Sequence, residues 1–303
     1  VRQAGWDLPE RWPPCWPGPT AAICDVCKPA PNIVSRRPAC LPDGGVRTVR
    51  EVDLALDAAA WRELAAFVHL PETTSTQDAA FAQALPSRGA LVVVADRQSD
   101  GRGRRGRRWY GDAQGDAERT LALTVLRRFD LPPRALATLG PALGVVVASA
   151  LRDLGVEVGL KWPNDLLHDG AKFGGLLVEA RGSVVAIGIG LNLALKEAPD
   201  IDQPWTDLQR AGLASPSRPV VLSALLNGLL PALVRFEREG FAAFHADWEA
   251  VDVLVGRAVC VLAGVVRCEG EALGITEDGG LRVRHADGER VHHAGEVSVR
   301  VVV

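Results

Sequence analysis

The stretch Leu160-Lys161-Trp162-Pro163-Asn164-Asp165-Leu166-Leu167, followed across Asp169-Gly170 by Lys172-Phe173-Gly174-Gly175-Leu176-Leu177-Val178-Glu179, decides how the chain folds. Two apolar runs flank an Asp-Gly pair, a strong short-range signal for a β-hairpin. Pro163 breaks the first run, because proline has no N–H to give to a ladder. Around that break a lysine, an amide and a carboxylate sit in otherwise apolar sequence. Lys172 opens the return strand. Gly174-Gly175 within it points to close approach of the backbone to a ligand, or to a bulge.

Outward from the hairpin, Val184–Leu191 reads as another strand ending at Asn192, and its two glycines, Gly188 and Gly190, bare one side. Upstream, Arg119–Leu126 alternates Leu121, Leu123 and Val125 with threonines, and residues 90–95 form a buried strand. That strand feeds the loop Gly101-Arg102-Gly103-Arg104-Arg105-Gly106-Arg107-Arg108-Trp109, which holds five arginines and three glycines in nine residues. Glycines let a backbone come close to a ligand, arginines present donor forks for phosphate or carboxylate, and tryptophan offers a flat face. The loop reads as a clamp over an anionic, ring-bearing ligand such as a nucleotide. Its bland alternative is a solvated or nucleic-acid-binding arginine-glycine segment.

Helical spacing appears over Asp53–Val68, over residues 133–154 with an interruption at Gly140-Pro141, over 219–239 with a kink at Pro231, and over 241–250. Ser75 with Asp78 three residues on reads as a helix N-cap with a box-like partner, the helix running to Leu85. From Gly256 the texture changes to short alternating strands, a small β-barrel in which Cys260 and Cys268 read as core thiols.

With 303 residues and 48% hydrophobic content, the chain can build one large domain and a smaller one. A net charge of −3 makes the arginine loop a local feature rather than part of a basic protein that grips nucleic acid. No apolar run reads as a membrane span and no export signal is visible, so a cytoplasmic protein is expected. Residues 1–45 differ from the rest. Prolines crowd there with four of the six cysteines, Cys15, Cys24, Cys27 and Cys40, and the spacing fits no zinc pattern. They read as a disordered or spurious extension, and no metal site is expected. The chain has no methionine and opens on Val1, which leaves its start open.

Taken in order, Ser75-Thr76-Gln77, Asp96-Arg97-Gln98 with the Gly101–Trp109 loop, Lys161–Asp165, Lys172–Glu179 and Gly188-Ile189-Gly190-Leu191-Asn192 resemble the biotin protein ligases, over about residue 65 to the end. The resemblance implies an α+β fold: a mixed-sheet catalytic domain related to lipoate ligases over 46–252, then an SH3-like barrel over 253–303. It implies two-step attachment of biotin to a lysine of a biotin carboxyl carrier domain, through biotinyl-5′-AMP, with biotin and ATP as substrates and Mg²⁺ assisting. It places Ser75, Thr76, Gln77, Gln98, Gly101, Arg102, Gly103, Arg104, Lys172 and Gly175 around biotin. It places Trp109, Asn164, Asp165 and Asn192 around the nucleotide, with Trp109 stacking on adenine. Arg104 and Lys172 become charge-stabilising catalytic groups, and Asp165 a base or orienting group for the acceptor lysine. Gln77 departs from the family's usual asparagine by one methylene. Residues 1–52 lack the helical period of a DNA-binding domain, so the ligase-only type is expected, as a monomer or weak homodimer with no nucleic-acid or membrane partner. The sibling reading is a lipoate or octanoate transferase of the same fold.

If residues 1–45 are dispensable, a chain beginning near Arg47 keeps its activity and melting temperature. One tightly bound zinc per full-length chain, with a large stability loss on chelation, would contradict this.

Overall fold

A computed structural model of the chain describes residues 53–109, 119–196, 203–263, 266–294 and 297–301. The expectations for residues 1–45 lie outside the described residues. Leu41–Val303 makes one compact unit. Within it a seven-stranded sheet runs β1 (Leu64–Thr73), β2 (Ala90–Gln98), β3 (Thr120–Arg128), β7 (Val184–Asn192), β6 (Ala171–Arg181), β5 (Asp165–His168) and β4 (Gly159–Lys161), in that spatial order. Only β1 and β2 pair in parallel; the remaining ladders are antiparallel.

The hairpin forms where the sequence places it. Asp169 and Gly170 take φ of 48° and 78°, the two positive values that a two-residue turn of this twist demands. His168 then pairs with Ala171. Strand β2 is a continuous apolar run because both of its faces are covered. Val92 and Val94 join the main core, whereas Leu91 and Val93 pack with Val68, Ala80, Leu126 and Ala186 on the opposite face.

The helical reading of Asp53–Val68 holds only for α1 (Ala58–Glu63), which Asp57 caps by accepting from Ala60 N at 2.8 Å. Leu64 to Val68 instead begin β1, which pairs with β2 from Leu64↔Ala90 to Thr73↔Gln98. Short apolar runs fit either period, and the ladder offered by β2 decides. Helix α2 (Thr76–Phe81) is capped by Ser75 and ends earlier than expected. Helices α3 (Pro133–Leu136) and α4 (Leu139–Asp153) separate at Ala137-Thr138, not at Gly140-Pro141. Pro141 falls in the first turn of α4, where an amide hydrogen has no intrahelical acceptor to lose. Helix α5 (Arg218–Glu239) carries Pro231 within one continuous span and is followed by α6 (Ala242–Glu249).

By length and composition alone, Pro133–Asp153 and Arg218–Glu239 could cross a membrane, contrary to the reading of the apolar runs. Here Leu139, Leu143, Leu151, Leu225, Leu229 and Phe236 from these stretches belong to the main core. A second, five-stranded antiparallel sheet follows in the order β11 (Gly288–His292), β10 (Leu281–His285), β9 (Val266–Ile275), β8 (Ala258–Ala263), β12 (Ser298–Val301). Its Val259, Leu281 and Val283 belong to the same core as the large sheet and α4 to α6. Both Cys260 and Cys268 are free thiols.

Trp162, only 1% exposed, closes the seam between the two sheets: its Nε1 donates to Gly279 O at 2.9 Å in the turn between β9 and β10. Trp162→Phe leaves that carbonyl unpaired and is expected to cost about 1–3 kcal/mol of unfolding free energy. Urea denaturation measures it; a loss near zero would show that the seam does not rely on this bond.

Candidate active site

Side chains alternate across β3 and β7, and the face opposite the main core is built from small residues. On β7 the alternation puts Gly188, Gly190 and Asn192 on the face of Ala186; on β3 it sets Thr124 opposite the core residues Leu123 and Val125. Neither glycine sits in a bulge, since the β3–β7 register is unbroken. Each makes room for a visitor. A Cβ at Gly188 would lie 2.7 Å from Gln77 Nε2, and one at Gly190 would lie 2.5 Å from the Trp109 indole. The result is a cavity of about 400 Å³.

At one end stand Ser75, Thr76, Gln77 and Gln98. Ser75 Oγ accepts from Gln77 N at 3.3 Å. Gln98 Oε1 accepts from Thr76 N at 2.7 Å and from Thr76 Oγ1 at 3.2 Å, and Thr76 Oγ1 in turn accepts from Thr124 Oγ1 at 2.9 Å. Gln77 Nε2 donates to Leu177 O at 2.8 Å. Asp78 does not complete a capping box; its carboxylate takes Arg102 Nη2 at 2.7 Å, which pins the arginine loop to α2 and raises the Arg102 pKa. The loop closes on itself, with Gly103 N donating to Arg107 O and Trp109 N to Gly101 O, both at 2.7 Å.

The other end is cationic. Lys172 Nζ lies 2.6 Å from Asp165 Oδ1 and Lys161 Nζ 3.7 Å from Asp165 Oδ2. Arg104 Nη1 reaches Asn164 Oδ1 at 3.4 Å, while Nη2 donates to Ala294 O and lies 3.5 Å from Val297 O. The described residues that line the cavity include Arg300, both lysines and the five loop arginines, and one carboxylate, Asp165. The surplus has a price in charge. Burial, then the neighbouring Arg105 and Arg107, lower the Arg104 pKa against the pull of Asp165. Burial, then Lys172 and Arg300, lower Lys161 in the same way. A site so organised offers a polyanion more relief than it offers water.

All the residues expected from sequence line this cavity except Gly101, whose backbone instead closes the loop. Trp109 leans over Gly190 with Lys172 Nζ 5.8 Å from its ring. Of the two hairpin glycines, Gly175 faces the cavity beside Lys172. Gly174 serves the core instead, where a Cβ would strike Leu191 and Leu166. Sequence reading missed Trp205 and Arg300. Trp205 arrives on a segment laid along β6, where Lys172 N donates to Pro204 O at 2.9 Å and Thr206 N to Lys172 O at 3.0 Å. The Arg210 guanidinium, 4.9 Å from the Trp205 ring, packs against it. Neither residue has a local signal; both come from elements distant in sequence.

Residues 68–194 match the Biotin/lipoate A/B protein ligase family, and residues 255–300 match the Biotin protein ligase C terminal domain. The chain is 34% identical over 246 residues to the biotin--[acetyl-CoA-carboxylase] ligase of Paracoccus denitrificans, covering 75% of this chain and 98% of that one. It is 32% identical over 243 residues to the enzyme of the same name from Mycobacterium tuberculosis, covering 78% and 89%. The match to the bifunctional ligase/repressor BirA of Escherichia coli is 33% identical and spans 69% of this chain and 66% of that protein. Among solved structures, the biotin protein ligase of Aquifex aeolicus in complex with biotin and ATP superposes with a TM-score of 0.68 at 29% identity, covering 78% of this chain and all of that one.

The lowered Lys161 pKa gives a signed pH dependence. A bound anion favours the charged lysine, so the bound form holds its proton to higher pH than the free form. Below the free pKa nothing changes. Above it, binding must take up a proton, and affinity for inorganic pyrophosphate should fall by up to about tenfold per pH unit. Titration calorimetry over an alkaline pH series reads this slope, which Lys161→Met should flatten. A slope unchanged in that variant would remove Lys161 from the anion site.

Proposed function

The chain belongs to the biotin protein ligase family, and from that premise we propose that it activates biotin with ATP and transfers it to a lysine of a carboxylase's biotin carrier domain. The observation that carries this reading is a cavity with a polar, hydrogen-bonded end at Ser75–Gln77 and Gln98 and a cationic end at Arg104, Lys161 and Lys172. An acyl group with a polar head fits the first, and a nucleotide phosphate fits the second.

In the first step an oxygen of the biotin carboxylate attacks the α-phosphorus of ATP, the bond to the β-phosphate oxygen breaks, and pyrophosphate leaves with its charge. The carboxylate is already ionised at neutral pH and needs no base; the obstacle is repulsion between anions, which Lys172 and Arg104 relieve. Asp165 holds Lys172 and Lys161 in place until phosphate oxygens take over. In the second step the neutral amine of the carrier lysine attacks the mixed anhydride, amide forms, and AMP departs. The proton lost by that ammonium needs an acceptor, and Asp165 is the lining carboxylate that can receive or orient it.

Mg²⁺ suits the site as an ion carried on the phosphates. Among the described residues no group of three His, Cys, Asp or Glu side chains is placed to hold a metal, so Asp165 is the protein ligand on offer. When bound, the ion would neutralise charge on the leaving pyrophosphate. Arg102 is paired with Asp78 and Arg104 turns inward, which favours use of the loop on a small anionic ligand. The free thiols Cys260 and Cys268 suit a reducing cytoplasm. We place the enzyme there, as a monomer or weak homodimer.

Incubated with biotin, Mg-ATP and a biotin carrier domain, the protein should label one carrier lysine and release AMP and pyrophosphate in equal amounts. No labelling, or release of ADP, would overturn the proposal. Lys172→Ala should keep the fold by circular dichroism and lose roughly 100- to 1,000-fold in adenylate formation, the usual effect of removing one preorganised donor from a developing anion. Near-normal adenylation would remove Lys172 from the chemistry.

A further inference from the structure

Strands β2 and β3 part just before they reach the site. Their ladder ends at Ala95↔Ala122. Beyond it β2 keeps to β1 as far as Thr73↔Gln98, and β3 keeps to β7 as far as Thr120↔Asn192. One prong of this fork carries Gln98 and leads into the arginine loop, and the other sets Asn192. Both residues line the cavity, one toward the acyl end and one on the nucleotide side. Backbone carbonyls at such a fork have left the ladder and need another donor.

The Arg218 guanidinium bridges the prongs. Nη2 donates to Asp96 O at 2.8 Å and to Thr120 O at 2.7 Å, Nε donates to Thr120 O at 2.8 Å, and Nη1 pairs with the Asp96 carboxylate. His69 Nε2 donates to the same carboxylate at 2.8 Å, which ties Asp96 to β1 as well. Arg218 is the first residue of α5, and Ser217 before it makes no side-chain cap. A cation at a helix N-terminus opposes the macrodipole, so helix stability gives no reason for arginine there. Its side chain is 13% exposed, and the bonds in the fork offset the burial. A lysine could not replace it, since an ammonium is a point charge and only a guanidinium spreads donors across a plane.

We propose that Arg218 is a positioning residue: it sets the gap between the two prongs, and with it the distance between the acyl-side and nucleotide-side halves of the cavity. Asp96, Thr120 and Arg218 do not line that cavity, so the effect passes through the backbone. This rests on the biotin-ligase reading and adds to it the group that registers the two halves with each other. Each half has its own support. Gln98 is bonded to Thr76 and Asn192 to Thr206, so loss of the bridge changes their spacing rather than their shapes. In-line attack of a carboxylate on phosphorus depends on that spacing, and a misplacement of about 1 Å can slow such a step by about 100-fold.

The test is Arg218→Lys in the full chain, which keeps the charge and loses the planar donors. Biotin alone, and an ATP analogue with a non-scissile α,β bridge alone, should each bind within about threefold of wild type by calorimetry, while the single-turnover rate of biotinyl-adenylate formation falls roughly 10- to 100-fold. A merely structural role would not separate these readouts. Asp96→Asn, which spares both carbonyls and weakens only the carboxylate anchor, should show the same split at smaller size, and it carries the test if Arg218→Lys fails to fold. The two changes combined should slow adenylation no more than Arg218→Lys alone. A near-normal rate, affinities for both ligands falling in step with the rate, or fully additive losses would overturn the proposal while leaving the ligase reading intact. A wild-type chain that forms no adenylate would overturn both.

Discussion

Cations do not gather in a partly closed cavity of their own accord. Arg104, Lys161, Lys172 and Arg300 come from a loop, two strands of the large sheet and the last strand of the small one, and the first three gather around one carboxylate, Asp165. Burial and mutual repulsion lower the pKa of both Arg104 and Lys161. The scaffold must hold them against that cost, and the paired strands β4 to β6 carry two of the four. Lys161 and Asp165 flank the hairpin's break, Lys172 opens its return strand, and Trp162 in the break anchors to Gly279 of the second sheet. The small sheet is thus part of the cationic site, through Arg300 and through the backbone carbonyls of Ala294 and Val297 that receive Arg104.

Charge makes the phosphate end, and absence of side chains makes the other. The alternation of β7 turns Gly188 and Gly190 to the face where α2 and the arginine loop lie, and each glycine is filled by one side chain from across the cavity. Gln77 and Trp109 are therefore positioned by sheet register: a slip of one residue would turn both holes into the main core.

Much of this was legible because the informative signals are local. The Asp169-Gly170 turn, the cap at Ser75, and the glycine-arginine loop each state their geometry within a few residues. What failed was of two kinds. Leu64 to Val68 fit a helix and a strand equally, and only pairing with β2 settled the matter. Gly174 and Gly175 look alike in sequence, yet the pleat sends one into the core and the other into the cavity. Trp205 and Arg300 were not legible at all, since nothing in their own neighbourhoods says that chain laid along β6, or a strand of the second sheet, will deliver them to the site.

The central claim is that the cavity joins an acyl carboxylate to a nucleotide before any acceptor lysine arrives. Exchange of labelled pyrophosphate into ATP, followed with biotin and without a carrier domain, tests it most directly. The account requires label to enter ATP only when biotin is present. Label entering without biotin, or none entering with it, would contradict the account.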